Sequence, residues 1–152
     1  MPSERTLVLI KPDAVQRALL GPIVTRLERT GYKIIGVKML HVDQDLAAKL
    51  YAEHKAKPFY DGLVKYITSS PLVAMVLSGP EVVAKIRQLM GATNPLEAAP
   101  GTIRGDFGED IGRNLVHGSA TVQDAQREVP LFFGEDEIMS YHRGLGPWIL
   151  DI

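Results

Sequence analysis

Short, unbroken apolar runs alternate along the chain with stretches in which apolar residues recur every three or four positions, and this alternation marks out its elements. Residues 6–10 form a β-branched and leucine run closed by Lys11-Pro12-Asp13, which predicts a fully buried strand and then a helix with Pro in its first turn. Lys11 therefore falls at a strand's C-terminal end. Ile23 and Leu27 continue the helix to Gly31, a C′ glycine by position, and residues 32–42 read as a second strand. Asp45 opens a helix carrying Leu46, Leu50 and Tyr51, and Lys57-Pro58 separates it from a second helical stretch at 59–67, giving a helical hairpin. Residues 71–77 (PLVAMVL) are another continuous apolar strand. Over 81–90 the apolar positions Val82, Val83, Ile86 and Leu89 share one helical face, with Arg87 elsewhere on the helix.

Residues 91–113 show no sustained period, are dense in Gly and Pro, and run longer than ordinary connections. Ile103, Phe107 and the interleaved Arg and Asp residues predict an ordered, packed loop there. A short fourth strand follows at 115–117. Thr121-Val-Gln-Asp124 then has the form of a capping box, with Asp in place of the usual Glu, for a helix running toward Val129. The order βαββαβ plus additions predicts an α+β, ferredoxin-like fold: a four-stranded antiparallel sheet with helices on one face, a helical hairpin insertion and a long ordered loop before the last strand.

At 152 residues and 45% hydrophobic content, the simplest organisation is one domain over residues 1–152 with a sizeable core. Seventeen Lys and Arg against 18 Asp and Glu leave a net charge of -1, so there is no bulk pull toward nucleic acid or membrane and neither is an expected partner. The absence of cysteine removes disulfides, thiolate zinc sites and thiol catalysis. Met1-Pro2-Ser3-Glu4-Arg5 runs straight into an apolar segment too short for a signal sequence or a membrane span, and a cytoplasmic location is the expectation.

The candidate chemistry centres on Asn114-Leu-Val-His117-Gly-Ser119, beyond the loop that carries Thr93 and Arg104. A neutral imidazole nitrogen is basic near pH 7, and cationic neighbours can neutralise the phosphate oxygens it attacks, which suggests phosphoryl transfer through a phosphohistidine. Taken bare the string is weak, because a lone His before Gly is more often a turn residue. There is no Gly-x-x-x-x-Gly-Lys-Ser/Thr phosphate loop; Asp106-Phe107-Gly108 lacks the other kinase motifs; and no His-Glu-x-x-His or paired metal-ligand spacing points to a protein-held zinc. What remains is dispersed: Lys11, Tyr51, His54, Arg87, Thr93, Arg104, Asn114 and His117. Taken singly, Lys11 and Arg87 read by default as solvated surface cations, Tyr51 as a helix residue packed against the core, and Arg104 as a partner of Asp106 or Glu109 that pins the loop.

The chain resembles the nucleoside diphosphate kinase family. The likeness runs from Thr6-Leu-Val-Leu-Ile-Lys-Pro-Asp13 through Tyr51-Ala-Glu-His54, Lys57-Pro-Phe59 and Gly62-Leu-Val-Lys-Tyr66 to Gly91-Ala-Thr-Asn-Pro95, Gly101-Thr-Ile-Arg-Gly-Asp-Phe107 and the 114–119 string, in register over almost the whole chain. The resemblance implies a ping-pong enzyme that moves the γ-phosphate of a nucleoside triphosphate to a nucleoside diphosphate. His117 would be the nucleophile through Nδ1, with Glu128 and Ser119 orienting its ring. Arg87, Thr93 and Arg104 would bind the phosphates. Lys11, Tyr51 and Asn114 would hold the ribose hydroxyls, the transferring phosphate and the nucleophile's surroundings, with His54 beside the phosphates. Phe59 and Ile111 would sandwich the base, and stacking with few base-edge contacts implies broad base specificity. Mg²⁺ would ride on the phosphates with Glu53 as a water-mediated partner. A homohexamer is implied by the tail Gly146-Pro-Trp148-Ile-Leu-Asp-Ile152, with a tetramer as the alternative. Two other readings share these residues: a nucleotide- or nucleic-acid-binding regulator without kinase activity, and a relay that passes its phosphate to proteins.

The chain departs from the family at Ala120-Thr121, where His-Gly-Ser-Asp-Ser is usual, and so loses a carboxylate just before a helix N-terminus. Ala120→Asp should raise stability by about 0.3–1 kcal/mol through the helix dipole. Turnover should change by less than about tenfold, roughly 1.4 kcal/mol in the barrier. Denaturation midpoints and steady-state rates of the two proteins check this; a gain of orders of magnitude in rate would mean that the native chain is catalytically crippled.

Overall fold

Four strands, β1 (Glu4–Ile10), β2 (Lys33–Leu40), β3 (Leu72–Gly79) and β4 (Val116–Gly118), form one antiparallel sheet in the order β2-β3-β1-β4. The computed structural model describes residues 3–151; Met1, Pro2 and Ile152, which enter the terminal readings above, lie outside the described residues. β1 is a central strand and both of its pleats are buried: Val8 and Ile10 enter one core, Leu7 and Leu9 the other. β3 divides in the same way, with Val73, Met75 and Leu77 against Leu72, Ala74 and Val76. This is why both strands read as unbroken apolar runs.

Among the described residues seven α-helices surround the sheet: α1 (Pro12–Gln16), α2 (Leu20–Arg29), α3 (Gln44–Leu50), α4 (Tyr60–Ile67), α5 (Val82–Met90), α6 (Ile103–Phe107) and α7 (Val122–Phe132). α2 and α5 seal one face with Ile23, Leu27, Val82, Val83, Ile86 and Met90, each such side chain contributing about 1.5–3 kcal/mol by leaving water. The hairpin α3–α4 covers the other face with Ala47, Leu50, Val64 and Ile67, joined by Val129 and Phe132 from the end of α7. Helices therefore lie on both faces, where the bare βαββαβ order predicts one. A sheet apolar on both pleats needs a second layer, and the inserted hairpin supplies it.

Several boundaries depart from the periodic pattern. The helix expected to run from Pro12 to Gly31 breaks at Ala18, a non-glycine at φ 58°, and restarts at Leu20. Gly31 does take the C′ role at φ 86°. Asp43, not Asp45, caps α3 by accepting the Leu46 N–H at 2.8 Å. Tyr51 is the C-cap of that helix and His54 belongs to the 3-10 turn Ala52–His54 that follows, so the two do not share a helix.

The long loop is ordered by local caps and contains structure that its irregular period concealed. Asn94 caps the 3-10 turn Pro95–Glu97, and Thr102 caps α6 by accepting the Gly105 N–H at 3.0 Å. Arg26 pins this segment to α2 by pairing with Asp106 at 2.7 Å and stacking over Phe107 at 4.7 Å. Thr121 caps α7, accepting from Asp124 N at 3.0 Å. Gly105 is needed for space, because a Cβ there would lie 2.0 Å from the carbonyl oxygen of Ala99. Backbone cannot yield as a flexible side chain can. Gly105→Ala should destabilise the protein by about 1–3 kcal/mol, the usual cost of overpacking, and lower its denaturant midpoint accordingly.

Candidate active site

The end of β1 and the entry to β4 meet through backbone. Lys11 N–H donates to Leu115 O at 2.9 Å, and Leu115 N–H donates to Asp13 Oδ2 at 3.1 Å. Leu115 needs both restraints. It is fully buried at φ 75°, a left-handed conformation that costs a non-glycine residue about 1–2 kcal/mol.

Around this junction the cations gather. Lys11 Nζ donates to Asn114 Oδ1, and Asn114 Nδ2 donates to Thr93 O at 2.9 Å. Arg104 donates from Nε to Asn114 O at 3.1 Å, from Nη1 to Gly91 O at 3.0 Å and from Nη2 to Val116 O at 2.6 Å. It pins the loop as one reading expected, but through carbonyls and not through Asp106 or Glu109; Asp106 belongs to Arg26. A guanidinium has five N–H donors, so Arg104 retains capacity for an anion. Lys11, Arg104 and Asn114 are all buried. Burial first, and then the charge of Arg104, lowers the Lys11 pKa to about 8. Burial and the charge of Arg87 likewise pull Arg104 below the usual guanidinium range. Among the described residues no carboxylate forms an ion pair with Lys11, Arg87 or Arg104. The result is a buried positive site that a multiply charged anion would stabilise.

His117 stands on β4 opposite Leu9 of β1. Its Nε2 lies 2.9 Å from Glu128 Oε1, and the same oxygen accepts from Ser119 Oγ at 2.9 Å. Ser119 Oγ in turn accepts Leu7 N–H at 3.2 Å, so the carboxylate, the hydroxyl and the sheet form one chain. The carboxylate assigns the ring proton to Nε2, leaving Nδ1 as the nitrogen with a lone pair. Burial tends to raise the Glu128 pKa, but the His117 hydrogen bond and charge, then Ser119 and Arg127, hold it below the ordinary value. Arg127 approaches Glu128 Oε2 at 3.5 Å while donating to the carbonyl of Lys49 at 2.9 Å. Gly118, beside His117, packs against Met90 of α5: a Cβ there would sit 2.6 Å from Met90 Cε.

Arg87 donates weakly to Gly118 O at 3.4 Å and is otherwise exposed. Tyr51 is buried, and burial followed by the charge of Glu128 pushes its hydroxyl pKa up to about 12, which keeps it a hydrogen-bond donor. Tyr51, His54 and Phe59 form a series of tilted rings, 6.3 Å and 5.5 Å between centroids. His54 Nδ1 is buried without a partner, and Phe59 is 50% exposed, an apolar face left open. Ile111, 58% exposed, and Glu53, also exposed, join none of these hydrogen-bond chains. Three residues beyond the candidate set also belong to the site: Tyr66 Oη donates to Asp13 Oδ1, and the Arg113 guanidinium lies 4.3 Å from the Tyr66 ring centroid. Asp13 and Tyr66 lie 53 residues apart, so no local spacing announces their bond.

An imidazole with one ring nitrogen held by a carboxylate and the other available, near cations that form no ion pair with a carboxylate among the described residues, can accept a phosphoryl group, and a phosphotransferase is the class this arrangement suits. The match to the family model for nucleoside diphosphate kinase covers residues 4–138. The chain belongs to the nucleoside diphosphate kinase family. It is 52% identical over 148 residues to the nucleoside diphosphate kinase of Carboxydothermus hydrogenoformans, covering 97% of this chain and 99% of that one. It is 57% identical over 136 residues to that of Thermus thermophilus, covering 90% and 99%. Among solved structures, the Halobacterium salinarum enzyme in complex with CDP superposes with a TM-score of 0.95 at 51% identity, over 98% of this chain and 99% of that one. The Borrelia burgdorferi enzyme, a transition state mimic with bound vanadate and ADP, gives 0.91 at 38% identity over 97% and 98%.

Because Glu128 has a lowered pKa in the folded protein, its contribution to stability is complete above the ordinary value of 4.5 and is lost as pH falls through the folded-state value. Glu128→Gln should therefore lower stability at neutral pH and flatten the acid limb of the stability curve. Unfolding midpoints measured from pH 3 to 7 check this; a parallel offset at every pH would mean that the carboxylate charge is not what matters.

Proposed function

We propose that the protein transfers the γ-phosphate of a nucleoside triphosphate to a nucleoside diphosphate by a ping-pong route through His117, with residues 1–152 acting as one domain of this family. The observation that carries the assignment is the His117–Glu128 bond of 2.9 Å, which leaves Nδ1 as the nucleophilic nitrogen. Its lone pair attacks the γ-phosphorus. The N–P bond forms as the bond to the bridging oxygen breaks, and the diphosphate leaves with the electron pair. Phosphorylation makes the imidazole cationic, and Glu128, held by Ser119, offsets that charge. A second diphosphate then attacks phosphorus and the N–P bond breaks.

Lys11, Arg87, Arg104 and Thr93 are assigned to the phosphates. The positive charge of the three cations is prearranged, and their interaction grows as charge moves onto the equatorial and leaving oxygens. Asn114 fixes Lys11, while Tyr51 and His54 stand on the side of the hairpin. Phe59 and Ile111 supply exposed apolar surface for the base, and surface of that kind discriminates weakly among bases. Among the described residues no cluster of three His, Asp or Glu side chains is placed to hold a metal. The donor set fits a magnesium ion that arrives on the phosphates, with Glu53 as its water-mediated carboxylate. So bound, the ion would neutralise charge on the transferring group.

A homohexamer is the proposed assembly, with a tetramer as the alternative. Val37 and Met39 on the edge strand β2 are 58% and 59% exposed, and Trp148 near the C-terminus is 90% exposed, apolar surface that subunit contacts would cover. Among the described residues no helix is long and apolar enough to cross a membrane. The cytoplasm, where such charged substrates are held, is the proposed location.

With γ-labelled ATP and no acceptor, the protein should gain a label that is lost in acid and kept in alkali, because protonation makes the ring a better leaving group. Any of several diphosphates should discharge it. His117→Ala should take up no label and still bind nucleotide. An acid-stable label, or more than a trace of transfer by the alanine variant, would require a different nucleophile; discharge to proteins in preference to diphosphates would support the relay reading.

A further inference from the structure

Two side chains at the junction of β1, α1 and β4 have no part in the chemistry above. Tyr66 reaches from α4 to the first turn of α1, where its hydroxyl donates to Asp13 Oδ1 and accepts Asp13 N–H at 3.0 Å. Lys11, the N-cap of α1, makes no side-chain capping bond, so this hydroxyl satisfies a backbone donor that the helix leaves open. The other oxygen of Asp13 accepts Leu115 N–H, 102 residues along the chain. The Tyr66 ring also faces two cations, Lys11 Nζ at 5.6 Å and the Arg113 guanidinium at 4.3 Å.

We propose that Tyr66 and Asp13 form a positioning pair for phosphoryl transfer: through Asp13 they hold Leu115 in its left-handed conformation, and through Leu115 they set Asn114 against Lys11 on one side and His117 on the other. The inference rests on the roles proposed above for Lys11, Asn114 and His117. β4 is only three residues long, so its direction depends on how the chain enters it, and the entry is a strained residue tied to Lys11 through its carbonyl and to Asp13 through its N–H. Without the second tie Leu115 relaxes toward negative φ. Asn114 then turns away from Lys11, and the imidazole shifts relative to the cations. Burial first, and then the bond to Asp13, raises the Tyr66 pKa, so the hydroxyl remains a donor at working pH. Neither residue touches the reacting atoms.

The test uses the full chain with Tyr66→Phe, Asp13→Asn and the double variant, measuring single-turnover labelling at position 117, diphosphate affinity and the thermal midpoint. Tyr66→Phe keeps the ring and its packing and should slow labelling about tenfold; Asp13→Asn should slow it up to about a hundredfold, the scale of a small misplacement of reacting groups. Diphosphate affinity should stay within about threefold of wild type, and the double variant should be no slower than Asp13→Asn alone, because both act through one link. Wild-type labelling rates in the folded variants, or losses that simply multiply, would make the pair a strut between α4 and α1 and overturn the proposal, as would a fall in affinity that matches the fall in rate. If Asp13→Asn does not fold, Tyr66→Phe alone decides. Wild-type protein that takes no label at position 117 would overturn the site assignment and the pair with it, whereas labelled wild type with an unimpaired Tyr66→Phe would refute the pair alone.

Discussion

The pairing of β4 with the end of β1, from Val8↔Gly118 to Ile10↔Val116, brings the two halves of the site together. Lys11 directly follows one strand and His117 sits within the other, opposite Leu9, so antiparallel register brings a cation and an imidazole 106 residues apart in sequence to the same end of the sheet. Strand pairing is strict in this respect. A slip of one residue would turn His117 to the opposite face and bury a neighbour in its place. The fully buried side chains on either side of β1 make such a slip costly, which is how a core with no chemical role controls the direction of the imidazole.

Charge is the second constraint. Among the described residues no carboxylate forms an ion pair with buried Lys11 or Arg104, an arrangement that costs stability and that most proteins avoid. The structure supports them with neutral oxygens instead: the Asn114 amide for Lys11 and three carbonyls for Arg104. Carbonyls satisfy the N–H groups and leave the net charge intact, so the attraction for phosphate survives. The carboxylates nearest the site are turned to other tasks. Glu128 orients the imidazole, and Asp13 holds Leu115 and Tyr66. Positive potential and positional order thus come from the same hydrogen bonds.

The order of elements was legible in the sequence because it follows from local period and punctuation: unbroken apolar runs for β1 and β3, three- and four-residue spacing for α5, the glycine after α2 and the threonine before α7. The breaks were not. Ala18 leaves the helical region without Gly or Pro, and α6 lies among residues too few and too irregular to show a period. The candidate residues could be named from the strings they occupy, yet what each does depended on partners far away. Arg104 had two acidic neighbours in sequence and uses neither. Tyr66 was one residue in a quoted string, and its role rests on an aspartate that no spacing connects to it.

By itself the sequence determined most of the elements, the apolar surfaces they had to bury, the absence of thiol chemistry and a histidine, His117, beyond a loop that carries Thr93 and Arg104. These follow from side-chain chemistry and short-range periodicity, which are properties of neighbours along the chain. Only the tertiary structure decided that helices would cover both faces of the sheet, that the proton of His117 would sit on Nε2, that the buried cations would be held by neutral oxygens and that Leu115 would be held in a left-handed conformation. Each of these depends on groups brought together across tens of residues by strand register and packing, and a linear pattern carries no record of such distances.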